Sequence, residues 1–94
     1  MADDSSAAIR DEKQIKARLH EYILSKLLEG EEPINLTDTT PLVSSGIIDS
    51  LNSVQVGTFI EQMCSVKLAP EELVKPENME TIESITKLVL SKFS

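Results

Sequence analysis

Aromatic residues are scarce: the 94-residue chain has no tryptophan, one tyrosine and two phenylalanines. Its core must therefore come from leucine, isoleucine, valine and methionine, and a hydrophobic content of 40% is enough for one small folded domain. A single cysteine, Cys64, excludes an internal disulfide and suits a reducing cytoplasm. A single histidine, His20, with no second histidine or cysteine at ligand spacing, argues against a metal centre. No apolar run approaches membrane-spanning length, and the acidic start Met1-Ala2-Asp3-Asp4-Ser5-Ser6 has none of the apolar stretch of a secretory signal. Glycine-rich phosphate loops, basic tracts and internal repeats are all missing. Bases are few as well. Nine face sixteen acids, and the formal charge of −7 repels nucleic-acid phosphates and anionic lipid while suiting partners with basic faces.

What remains is helical. Residues 1–8 are small and polar, and are expected to form a flexible N-terminal segment ahead of a folded domain over 9–94. From Asp11, the residues Ile15, Leu19, Tyr22, Ile23 and Leu27 recur at steps of three and four, with Leu28 widening the stripe and Gly30 as a C-terminal stop. His20 stands beside that stripe and reads as a helix-surface residue. A long connection with Pro33 and Pro41 follows, in which Ile34, Leu36, Leu42 and Val43 are expected to tuck inward. At about 100° per residue, a second helix from Ser50 to about Ser65 gathers Val56, Phe59, Ile60, Met63 and Cys64 on a core arc. Leu51, Val54 and Thr58 fall opposite, so two apolar side chains are expected in solvent on the first turn, as part of a docking patch. Cys64 reads as a buried structural thiol, and Gly57 lies mid-helix without a local reason. Pro70 opens a short helical turn that Pro76 ends, and Thr81 caps a last helix from Ile82 to about Phe93. The expected architecture is all-α: three main helices and one short one in a small four-helix bundle. Period-two alternation is too short anywhere for a strand.

The stretch Gly46-Ile47-Ile48-Asp49-Ser50-Leu51 joins the long connection to the second helix. Asp49 stands where an N-cap belongs, and Ser50 stands close to the first helical position. A hydroxyl there projects into solvent near the positive end of the helix dipole, a suitable place to attach or hold a phosphate. Cap preference alone also accounts for an Asp-Ser pair, which would make the chain a non-enzymatic helical interaction module.

Gly46, two intervening residues and then Asp49-Ser50-Leu51, set between a leading amphipathic helix with its long loop and a second helix, resemble the signature of the phosphopantetheine-binding carrier proteins. These are the acyl and peptidyl carriers of fatty-acid, polyketide and nonribosomal peptide pathways. The resemblance runs from about Ile15 to Phe93. It implies a free-standing, acyl-carrier-like bundle on which a separate phosphopantetheinyl transferase places the 4'-phosphopantetheine arm of coenzyme A at Ser50, with Gly46 and Asp49 framing the site. The transferase would supply magnesium and the base, because His20 is a helix and a loop away and an aspartate is a weak base near neutral pH. The carrier would then be a cytoplasmic monomer and no enzyme, delivering thioester cargo to acyl- or aminoacyl-processing partners. Fatty-acid carriers have a strongly acidic second helix, whereas Glu61 is the only acid in this one after Asp49. That departure resembles the peptidyl or aminoacyl carriers of specialised metabolism, loaded by an AMP-forming ligase. The Gly-Ile-Ile-Asp-Ser run is also similar to that of D-alanyl carriers.

Overall fold

The computed structural model describes residues 9–27 and 36–93. The expectations placed on residues 1–8, Leu28, Gly30, Pro33 and Ile34 lie outside them. Asp11 opens the first helix, α1 (Glu12–Tyr22): its carboxylate accepts the Gln14 N–H at 3.1 Å, satisfying one of the donors that a helix start leaves unpaired. Ile15 and Leu19 are fully buried along it. The chain then departs from the regular helix expected through Leu28, because Ile23–Leu27 forms one π turn. Ile23 stays buried and Leu27 half-buried, while Leu24 is left exposed. The wider turn accommodates one extra residue without giving up the buried stripe.

Three of the four remaining helices start as their sequences dictate. Helix α2 (Ser50–Cys64) is capped by Asp49, α3 (Pro70–Leu73) begins with proline, and α5 (Ile82–Ser91) is capped by Thr81. The fourth, α4 (Pro76–Met79), corrects the expectation of a single short helix. Pro76 does end the first short turn, but a proline also fits the first position of a new helix, where its missing N–H costs nothing. The last helix stops at Ser91 rather than Phe93, and the Phe93 ring instead lies under the Arg10 guanidinium at 4.8 Å. No strand occurs among the described residues. The fold is a small all-α bundle.

In this bundle α1 lies against α5, α4 against α5, and α3 bridges α2 and α4. The core is aliphatic, as the shortage of aromatics requires: Val56, Ile60 and Cys64 of α2 meet Ile15, Leu19 and Ile23, then Ile82, Ile85 and Val89. Phe59 and Met63, expected on the core arc, reach only its edge and are half-buried. Tyr22 and Phe59 stack with ring centroids 4.3 Å apart at that edge. Gly57 has its reason here. A Cβ at this position would come within 2.5 Å of Leu73 Cδ1, so the bare backbone lets α3 approach α2. No helix among the described residues is long and apolar enough to cross a membrane.

Candidate functional site

The loop from Leu42 to Asp49 is built from its two buried ends. Leu42 and Ile48 are both in the core, and the Ile48 N–H donates to the Leu42 carbonyl at 2.9 Å, closing the loop at its base. Between them Val43 to Gly46 form a turn in which the Gly46 N–H donates to Val43 O at 3.0 Å. Gly46 has φ +85° with open space around it, so the backbone conformation rather than crowding calls for glycine. Ser45 Oγ adds a bond to Pro41 O at 2.6 Å.

A second tie comes from the far side of the sequence. Glu80, between α4 and α5, accepts the Val43 N–H at 3.1 Å and the Ser44 N–H at 3.0 Å through Oε1, and the Ser44 hydroxyl at 2.6 Å through Oε2. Its own carbonyl accepts the Leu42 N–H at 2.6 Å. The Ser44 hydroxyl, helped by the Ser44 and Val43 N–H groups, holds the Glu80 carboxyl below the usual carboxylate range. Sequence reasoning missed Glu80, since an isolated glutamate in a short turn carries no local pattern.

Asp49 is the N-cap of α2. Its Oδ1 accepts the Leu51 and Asn52 N–H groups at 3.0 and 2.9 Å, and Asn52 Oδ1 accepts the Asp49 N–H at 2.7 Å in return. Asn52 Nδ2 also donates to Ile47 O at 3.0 Å, fixing the entry of the loop into the helix. Ser50 is thereby set at the first position of α2, exposed, and its hydroxyl has no partner among the described residues. Beside it lies a cavity of about 220 Å³. Apolar walls come from Val43, Ile48, Leu73, Val74, Pro76 and Met79, while Lys75 brings a positive charge to the same lining.

The other candidate residues sort clearly. Leu51 and Val54 are 75% and 52% exposed, with exposed Thr58 one turn further on, so the outward face of α2 is where it was expected. Cys64 is fully buried, and burial pushes its thiol pKa up despite the Arg10 charge, which makes it a poor nucleophile. His20 is half-buried and does not line the cavity beside Ser50: its Nε2 is 3.3 Å from Asp38, which also pairs with Lys16. No cluster of three potential metal ligands occurs among the described residues.

Neither the protein-family models nor the curated proteins give a match. Among solved structures, this chain is similar to a chain in one described as "Crystal structure of FAD-dependent dehydrogenase", with 34% sequence identity and a TM-score of 0.67. The similarity covers 76% of this chain and 97% of that one. The two chains belong to one family. Since 76% of 94 residues is about 71, and those make up 97% of the other chain, the other chain is about 74 residues long.

Proposed function

We propose that this chain is a free-standing carrier protein whose Ser50 takes a 4'-phosphopantetheine arm. The observation that carries the reading is the Ser50 hydroxyl: exposed, without a partner among the described residues, and at the first position of a helix whose cap is made by its neighbour. Asp49 caps the helix immediately before Ser50, and Gly46, with φ +85°, lies in the turn that leads into the helix. The residues fit the group. A hydroxyl stands clear for attachment, and a partly apolar cavity with Lys75 in its lining adjoins the helix start. In the attachment step the Ser50 oxygen bonds to the phosphorus next to the pantetheine and the phosphoanhydride of coenzyme A breaks. The adenosine bisphosphate leaves, and the hydroxyl proton passes to a base of the transferase. The bound arm supplies a thiol on which an acyl or aminoacyl group is carried.

The chain's own residues then serve attachment and docking, with Leu51, Val54 and Thr58 as the face presented to partners. Those partners are a phosphopantetheinyl transferase, an AMP-forming acyl or aminoacyl ligase, and downstream processing enzymes, met by a cytoplasmic monomer. A flavin-dependent dehydrogenase is one candidate among the downstream enzymes, on the strength of the name given to the related solved structure. The three glycines of this chain, Gly30, Gly46 and Gly57, are too far apart in sequence to form the glycine-rich turn that cradles a pyrophosphate in the dinucleotide-binding fold. A related chain of about 74 residues is short for two nucleotide-binding halves as well.

A second reading has one specific observation in its favour. The reciprocal bonds of Asp49 and Asn52 give Asp49 a complete role as a cap, as in a plain helical interaction module. Intact mass separates the two. After incubation with coenzyme A, magnesium and a broad-specificity transferase, the protein is expected to gain one phosphopantetheinyl group, and Ser50→Ala none. A folded wild type that gains nothing would leave the interaction module standing.

A further inference from the structure

The cap fixes the start of α2, but the loop in front of it is held from elsewhere. Between Leu42 and Ile48 the chain folds back on itself, and its exposed tip carries Ser44, Ser45 and Gly46. Three of the bonds that reach this segment from outside converge on one carboxylate, Glu80, 36 or 37 residues away in sequence. Val43 matters twice. Its N–H is held by Glu80, and its side chain forms one wall of the cavity that also includes Asp49 and Ser50. The carboxylate therefore sets the position of Gly46 and of a cavity wall relative to the serine, without touching the serine.

We propose that Glu80 is a positioning residue for the modification of Ser50: it holds the 42–48 loop in the conformation that a modifying transferase engages. This rests on the carrier reading. The physical argument is one of populations. Without the carboxylate, the Leu42 N–H still donates to Glu80 O and the side chains of Leu42 and Ile48 remain in the core, so the fold survives. The tip keeps only its internal turn bonds and samples other positions. A partner that binds one conformer then sees its apparent affinity fall in proportion to the fraction in that conformer, while the chemical step within the complex is unchanged.

The test is steady-state modification by coenzyme A, magnesium and a broad-specificity phosphopantetheinyl transferase, at varied concentrations of the carrier. Glu80→Ala is expected to raise KM about tenfold, for a competent fraction of about one tenth, with kcat within about twofold of wild type. Glu80→Gln keeps an acceptor for the two N–H groups and is expected to recover most of the loss. Ser44→Ala, which removes one of the three bonds, should fall between, and Glu83→Ala controls for lost charge. Amide exchange at Val43 and Ser44 is read in parallel and should quicken in Glu80→Ala alone among the glutamate-to-alanine variants. If exchange quickens while KM stays at the wild-type value, or if kcat falls instead, the positioning role is overturned and the carrier reading stands. If wild type takes no arm, both fall together. Should Glu80→Ala not fold, Ser44→Ala decides by the same KM criterion.

Discussion

Two helices of this protein begin with the same device and put it to different ends. At α2 the Asp49 carboxylate and the Asn52 amide satisfy each other's backbone N–H groups; at α5 the Thr81 and Ser84 hydroxyls do the same, at 2.9 and 3.0 Å. The residue that follows the cap differs completely. After Thr81 comes Ile82, fully buried, whereas after Asp49 comes Ser50, exposed and unpartnered among the described residues. Capping accounts for Asp49 as fully as for Thr81. With Asp49 as the cap, Ser50 stands one position inside the helix, where its hydroxyl takes no part in the capping bonds, whereas α5 puts a core residue at that position.

The largest expected effect lies on the buried side of that contrast. Ile82→Ala should destabilise the fold by about 2–5 kcal/mol, the range for truncating a buried isoleucine. Ser50→Ala should stay within about 0.5 kcal/mol of wild type while abolishing arm attachment. Urea titrations of the two variants give the comparison directly, and an equal loss at both positions would break it. Next in size are the caps themselves. Asp49→Ala and Thr81→Ala should each cost about 1 kcal/mol, and a much larger loss at Asp49 would mean that the loop, not only the helix start, depends on it.

Acid should affect the two sides unequally. The Glu80 carboxyl titrates below its ordinary range because of the Ser44 hydroxyl and backbone bonds, and Glu72 does likewise through Lys92 and then the Ala69 N–H. A carboxylate with a lowered folded-state pKa holds its proton less readily when folded than when unfolded. Its contribution is thus complete above the ordinary carboxylate range and is lost as pH falls through the lowered value. Thermal melts from about pH 5 to about pH 3 should fall less steeply for Glu80→Gln than for wild type, with Glu72 left to account for part of the remaining slope. The smallest effect on folding belongs to the outward face of α2. Leu51→Glu and Val54→Glu are expected to leave the melting temperature nearly unchanged while weakening transfer to and from partner enzymes in a loading assay. A large drop in melting temperature would contradict their exposure.

The parts legible in the sequence were those governed by local rules. The 100° period sorted Val56, Ile60 and Cys64 inward and Leu51, Val54 and Thr58 outward, and cap chemistry located Asp49 and Thr81. The π turn was not legible, because Ile23 and Leu27 keep a helical spacing whether the turn holds four residues or five. Helix α4 was hidden by the double meaning of proline, a terminator of one turn and a favoured first residue of the next. The Glu80 contacts lie beyond any local pattern: they join a loop to a turn 36 or 37 residues away. Gly57 belongs with them, since its reason is the side chain of Leu73 in another helix.

The stacked pair of Tyr22 and Phe59 has a consequence for how the protein can be watched. With no tryptophan and a single tyrosine, the dichroism in the tyrosine band and the emission excited there come from one phenol, seated where α1 meets α2. Those signals report whether these two helices stay together. Ser50 and its loop carry no chromophore of their own, so a change confined to them is optically quiet, and light absorbed by Tyr22 distinguishes opening of the bundle from movement at the site.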